Sequence, residues 1–247
     1  MTPPDAAKRR PPALSPFVEA TGRHVIVLLV AGLLLVAFWL SRPEWSSEMR
    51  LWRAVGDAAV MLLFASLAIG PLARLCGPAG RLVVWRRQIG IWAAILAGLH
   101  ALLIVDGWAQ WSARRFLGYE LVAQLGREAR MEPGFGLANL VGLVALVWLL
   151  ILLATSSDRA LRFLGPPAWK WVHHGSYVAF YLVLLHSIYF LFLHYTLSFH
   201  RPPAPPNWFR WPLLLLGILV LVLQWTSFWR TARRRRKRPE AAGLRRR

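Results

Sequence analysis

Residues 169–195, WKWVHHGSYVAFYLVLLHSIYFLFLHY, form an apolar stretch that is long enough to cross a membrane. A spanning helix needs about 20 apolar residues. This stretch also carries imidazoles, which are costly in hydrocarbon and are usually retained there for a function. It therefore predicts a membrane-spanning helical fold and indicates where a site lies. The imidazoles belong to His173, His174, His186 and His194.

Composition places the whole chain in the membrane class. Of its 247 residues, 57% are hydrophobic and 14 are tryptophan, which is too apolar for a soluble domain of this size. The net charge of +19 comes from basic residues at the ends of apolar segments, so it argues against a nucleic-acid partner. The single cysteine, Cys76, excludes an internal disulfide and a thiolate metal site.

Six apolar segments predict an all-α bundle of six transmembrane helices, with no visible internal repeat. This membrane domain occupies residues 24–229, between a basic N-terminal tail (1–23) and a basic C-terminal tail (230–247). The segments lie at about 24–40, 52–73, 87–105, 137–155, 171–195 and 211–229.

Most lysines and arginines lie in the two tails and in the loops around 74–87 and 156–170. Because basic loops stay inside, both termini are predicted to be cytoplasmic, and connection 106–136 is predicted to be outside. Within that connection, SARRFLGYELVAQLG indicates a short helix on the outer surface. The C-terminal run RRRRKR is expected to contact anionic membrane lipid.

Two histidines fall at the same predicted depth. His186 follows His173 by 13 residues and His100 follows Arg87 by 13 residues, roughly 20 Å along helices that both run outward. Two neutral imidazoles that face each other in a bundle can supply both axial positions of a haem iron. A single buried histidine would more simply be a hydrogen-bonded core residue, but a matched pair favours haem. One feature argues against His173 and His186 lying on the same face of their helix, because 13 helical residues turn by roughly 220°.

The inner level lacks an evident second ligand. His173 and His174 lie there on the fifth helix, whereas the third helix offers Arg86 and Arg87. These arginines could pair with haem propionates or could simply be cytoplasmic anchors. We interpret four further polar residues as interfacial or rim residues; the alternative for the three histidines among them is a cofactor contact, and the alternative for the fourth, Asp57, is a proton acceptor for quinol oxidation. The others are His24, His194 and His200.

Four stretches resemble the ferric-reductase-like transmembrane family: GPLARL, RRQIGIWAAILAGLH, LLATSSDRALRFLG and WKWVHHGSYVAFYLVLLH. The likeness covers about residues 50–195 and is greatest to the haem-binding membrane subunit of the periplasmic methionine sulfoxide reductase system. It implies a b-type cytochrome of the bacterial inner membrane with one or two haems, ligated by His100, His173 and His186. It favours His173 over His174 as the inner ligand. The branch also binds flavin mononucleotide, for which this chain shows no motif.

The resemblance further implies electron transfer from quinol, or from a cytoplasmic flavin reductase, to a periplasmic molybdenum-containing reductase. The chain would then be an electron-transfer subunit, and no nucleophile or general-base arrangement suggests catalysis by the chain itself. MEPGFG, with Glu132 and Pro133, departs from the basic residue and Pro-Tyr usual in the branch, which puts the outer partner in doubt. Three alternatives remain: a stand-alone ferric or quinone reductase, a haem-free proton-coupled transporter and a structural membrane subunit.

Overall fold

The computed structural model describes residues 16–130, 132–194 and 207–244. Within these ranges, six helical segments are long and apolar enough to cross a membrane, which confirms the six predicted spans. Most extend beyond the predicted bounds. The spans are Val18–Leu40, Ser47–Leu75, Gly77–Trp108, Phe135–Ala154, Asp158–Leu193 and Arg210–Arg234. The His200 prediction lies outside the described residues.

The helices follow one another in chain order, and the longest described connection lies between the third and fifth helices. The helices are α1 (Pro16–Leu40), α2 (Ser47–Leu75), α3 (Arg86–Leu103), α4 (Ala113–Phe116), α5 (Phe135–Ala154), α6 (Asp158–Ile188) and α7 (Arg210–Leu244). Because α4 is short, the fifth membrane span is α6. A 3₁₀ segment at Gly77–Trp85 leads into α3, and single π-helical turns at Ile104–Trp108 and Tyr189–Leu193 extend α3 and α6.

Two antiparallel hairpins form the centre of the bundle. Helix α2 packs along α3, and α5 packs along α6, while α1 and α7 lie against α2. Small side chains such as Ala58, Ala93 and Ala179 are almost fully buried between the helices. In a membrane, small residues let helix backbones approach closely, and this close packing holds the helices together.

The outer connection differs from the sequence prediction, and we call its end of the bundle the outer end, following the predicted orientation. The expected helix over 112–126 is wrong: α4 ends at Phe116, and strands β1 (Tyr119–Val122) and β2 (Arg127–Arg130) form an antiparallel hairpin. Gly118 ends the helix because its φ of 86° lies in the left-handed region. The hairpin then pairs the backbone groups of Tyr119–Val122 with those of Arg127–Arg130, although only Tyr119 and Val122 are typical β-formers.

Helix α6 is interrupted near its start. Gly165 has φ 73° and ψ 156°, outside the helical region, and two prolines follow it. Proline is tolerated at the first turn of a helix, so the chain begins a new helical direction there. The long membrane-spanning part of α6 therefore starts just before the residues that open the histidine-bearing stretch.

Candidate cofactor site

Two imidazoles from different hairpins line one cavity. His100 lies near the end of α3 and His186 near the end of α6. Both border a cavity of about 410 Å³ between the two hairpins. Cofactor pockets in proteins have volumes of roughly 300–1,000 Å³. The structure thus brings together the two histidines that the sequence placed at one depth.

A backbone carbonyl of its own hairpin orients each imidazole. His100 Nδ1 lies 2.9 Å from the carbonyl oxygen of Trp52 in α2, and His186 Nδ1 lies 2.8 Å from that of Ala138 in α5. A carbonyl only accepts, so Nδ1 carries the proton and donates it in both rings. In a neutral imidazole, Nε2 then keeps its lone pair, and both rings have the tautomer that binds a metal through Nε2.

The cavity wall is mostly apolar and is built partly from small residues. Ala59, Ala93, Ala97 and Ala145 line it from three helices, which leaves an open space at the level of the histidines. Within the described residues, no three His, Cys, Asp or Glu side chains gather to hold a metal ion. Two imidazoles in an apolar slot suit a metal that brings its own equatorial ligands, as haem iron does. The residues therefore fit a haem.

Arg53 is a charged residue that the sequence did not single out for this site. It lies in α2 next to Trp52, and among the described residues that line the cavity it is the only arginine or lysine. Its guanidinium carbon lies 5.5 Å from the centre of the Phe190 ring, which also borders the cavity. A guanidinium in this position can bind a carboxylate with two parallel hydrogen bonds. In the sequence, Arg53 resembles any basic residue at a helix start.

Asp57 borders the cavity but is held by an ion pair. Its carboxylate accepts a hydrogen bond of 2.5 Å from Arg42 Nη2, and Arg42 also donates to Asn207 Oδ1 at 3.0 Å. Arg42 is only 1% exposed and Asp57 only 9%. The carboxylate is therefore buried against the α1–α2 connection at the outer end, and its charge neutralises a guanidinium that joins this connection to α2 and the start of α7.

A second polar pair closes the outer rim of the cavity. His194 Nδ1 lies 2.7 Å from Glu132 Oε2, and both side chains are almost completely buried. The Tyr189 hydroxyl donates to the carbonyl of Pro133 at 2.8 Å. Glu132 and Pro133, which depart from the family pattern, thus contact residues at the outer end of the sixth helix. This contact gives His194 a carboxylate partner, in agreement with its interpretation as a rim residue.

The inner histidine has different surroundings. His173 Nε2 lies 3.2 Å from Thr155 Oγ1, and its ring stacks on Trp169 with 3.9 Å between the ring centres. His173 is not among the residues that line the cavity around His186. This agrees with the rotation of roughly 220° between His173 and His186 on an ideal helix, which turns the two rings toward different neighbours.

The other inner candidates take separate positions. Arg87 donates to the carbonyl of Ser156 at 2.6 Å and to Asp158 Oδ1 at 2.7 Å, so it ties α3 to the α5–α6 connection. The backbone carbonyl of Arg86 accepts a hydrogen bond from Ser66. His174 is exposed, and its Nδ1 lies 2.6 Å from the carbonyl of Lys170 in the same helix. The cofactor contacts expected from the sequence for Arg86, Arg87 and His174 stay predictions.

Residues 55–184 match the family model described as the ferric reductase like transmembrane component. The chain belongs to this family. The match covers most of both hairpins, ends two residues before His186, and confirms the family predicted from the sequence. Together with the six spans, membership places the chain among multi-pass proteins of the bacterial inner membrane.

Full-length relatives carry a more specific name. A Bordetella pertussis protein named protein-methionine-sulfoxide reductase heme-binding subunit MsrQ is 32% identical over 226 residues, which are 89% of this chain and 97% of that protein. A Polaromonas naphthalenivorans protein of the same name is 29% identical over 219 residues, 85% of this chain and 88% of that protein. The magnetosome protein MamZ of Magnetospirillum gryphiswaldense is 30% identical over 136 residues, 55% of this chain but 19% of that protein.

Proposed function

We propose that this chain is the haem-binding membrane subunit of a protein-methionine-sulfoxide reductase system and passes electrons across the inner membrane. The single observation that carries the proposal is the pair His100 and His186, which line one cavity in matching tautomers. The names of the two MsrQ relatives support the same role.

In this proposal His100 and His186 would hold the iron of a b-type haem through their Nε2 atoms. The bound haem supplies a one-electron redox centre. The carbonyls of Trp52 and Ala138 fix the ring orientation and the tautomer, and the apolar wall keeps water from the iron. Arg53 binds a propionate carboxylate at the charged side of the cavity.

A second, inner haem is proposed at His173. Arg86 and Arg87 are the proposed propionate partners, and His174 is the other imidazole available at that level. Support comes from the position of these side chains near the inner ends of α3 and α6 and from the family resemblance. Flavin mononucleotide is a further proposed cofactor that rests on the resemblance alone.

Electron flow is proposed to run outward. Quinol or a cytoplasmic flavin reductase supplies electrons near the inner end, and the outer end delivers them to a periplasmic molybdenum-containing reductase that repairs methionine sulfoxide in proteins. The chain contributes ligand placement and a low-dielectric path between the two sides, while the partner carries out the reduction of the substrate.

The test compares histidine variants of the purified protein by reduced-minus-oxidised absorption and by haem per chain. We expect a b-type spectrum from the wild type and loss of most haem from the cavity site in His100→Ala and His186→Ala. His194→Ala is the matched control, because this histidine also lines the cavity but is paired with Glu132, and it should retain haem. Equal haem retention in His186→Ala and His194→Ala would sink the ligand assignment.

A further inference from the structure

The two central hairpins repeat one local arrangement around their histidines. In both, the carbonyl that accepts the Nδ1 proton belongs to a residue 48 positions before the histidine. In both, a glycine stands one helical turn after that carbonyl: Gly56 follows Trp52, and Gly142 follows Ala138. A π-helical turn follows each histidine-bearing helix. This repeat is not evident from the sequence alone because the matching residues are few and far apart.

Helix geometry explains why a glycine is needed at these two positions. In an α-helix the carbonyl of one residue accepts from the N–H four residues later, and each Cβ tilts toward the helix N-terminus. A side chain one turn after the carbonyl therefore stands next to that oxygen and blocks a second donor. Glycine leaves the oxygen open to an imidazole from the neighbouring helix.

The distances show how little room exists for a methyl group. A Cβ at position 142 would lie 2.5 Å from His186 Nδ1 and 2.7 Å from its Cε1. A Cβ at position 56 would lie 3.0 Å from both Nδ1 and Cε1 of His100. Position 142 therefore tolerates no side chain unless the ring moves, and position 56 is at the limit of contact.

Another glycine in the same hairpin has no such neighbour. Gly98 lies in α3 two residues before His100, and a Cβ there would meet nothing within 4 Å. An alanine at 98 thus removes the flexibility of glycine from a membrane helix without touching an imidazole. The requirement at 56 and 142 comes from the histidine rings and not from the helices as such.

We infer that Gly56 and Gly142 are positioning residues that let each hairpin hold its histidine by a backbone hydrogen bond and so set the reduction potential of the bound iron. The inference rests on the proposed function, since it concerns the ligands of the haem. A hydrogen bond from Nδ1 to a carbonyl makes Nε2 a stronger donor to the metal. A stronger donor favours the oxidised iron, so displacing the ring from its carbonyl raises the potential.

The experiment measures haem per chain, the absorption spectrum and the midpoint potential of Gly142→Ala, Gly56→Ala and Gly98→Ala in detergent. Loss of an outer hydrogen-bond partner typically weakens metal binding by roughly 10- to 100-fold. We expect Gly142→Ala to lose haem on this scale. For the haem retained, we expect the midpoint potential to rise by up to about 59 mV. For a one-electron couple, this rise corresponds to a change of about tenfold in the reduction equilibrium constant. Gly56→Ala should show a smaller shift in the same direction, and Gly98→Ala should match the wild type.

The outcomes separate this inference from the proposed function. A wild type without haem, after expression with adequate haem supply, would refute the proposed function and with it the inference. A wild type with haem and a Gly142→Ala variant equal to Gly98→Ala in haem content, spectrum and potential overturns the inference alone. If Gly142→Ala does not fold by circular dichroism, Gly56→Ala decides, and a wild-type potential in that variant overturns the inference.

Discussion

Arg42 and Asp57 offer a quantitative test of how this membrane protein holds a buried charge pair. The guanidinium is 1% exposed, bonds to the carboxylate at 2.5 Å and also donates to Asn207. Three aromatic rings surround it, with its central carbon 5.5 to 6.0 Å from their centres. We consider the variants Arg42→Met, Asp57→Leu and the double variant.

Each single variant leaves one buried charge without its counterion. Removing one partner of a buried ion pair costs about 3–5 kcal/mol, whereas replacing both partners by apolar residues is often neutral or stabilising. In Asp57→Leu, Arg42 keeps Asn207 and the three rings among the residues that the structure describes. In the double variant no charge remains, and Asn207 Oδ1 still accepts from the backbone N–H of Phe209 at 3.1 Å. The double variant should therefore lose less free energy of unfolding than either single variant.

The assay is denaturant unfolding of haem-free protein in detergent micelles, followed by tryptophan fluorescence. Haem-free samples are needed because Asp57 borders the cavity, and bound haem would add its own contribution to stability. The double-mutant cycle gives the coupling energy of the pair. If the loss in the double variant equals the sum of the two single losses within about 0.5 kcal/mol, the charges are not coupled and the reasoning fails.

Two further predictions concern other polar contacts of the bundle. Asn139→Ala removes a buried amide that donates to the carbonyl of Phe116 at 2.7 Å, so the free energy of unfolding should fall by about 1–3 kcal/mol; an unchanged denaturant midpoint would contradict this. Arg87→Ala breaks an ion pair with Asp158 whose side chains are 45% and 71% exposed, so its loss should stay below about 1 kcal/mol in the same assay. A fall of more than about 2 kcal/mol in the free energy of unfolding would show that the ion pair is more than a surface contact. The amount of haem per chain in Arg87→Ala tests the proposed propionate contact separately.

The sequence predicted those features that depend on length, hydropathy and position along a helix. All six spans follow from apolar length, and the common level of His100 and His186 follows from equal rises along two helices of the same direction. Features that depend on helix rotation were not predictable in this way. Arg53 faces the cavity and Arg42 faces Asp57 because of how the helices turn toward each other, which the hydropathy pattern does not specify.

The helix predicted for the outer connection was wrong for a local reason. SARRFLGYELVAQLG has helix formers at both ends, but Gly118 takes a left-handed conformation after one turn, and the residues after it pair as strands. The spacing of two glycines is another feature of the sequence that was not used to predict the site. Gly56 and Gly142 stand at equal distances before His100 and His186, a regularity that becomes meaningful only when the contact of each glycine with its imidazole is known.

The location of each histidine's hydrogen bond has a consequence for biosynthesis. Trp52 and His100 belong to one hairpin, and Ala138 and His186 belong to the other, so neither ring depends on the opposite hairpin for its orientation. Transmembrane helices insert into the bilayer first and associate afterwards. Each of these hydrogen bonds can therefore form once its own pair of helices has been inserted, before the two hairpins associate and enclose the cavity.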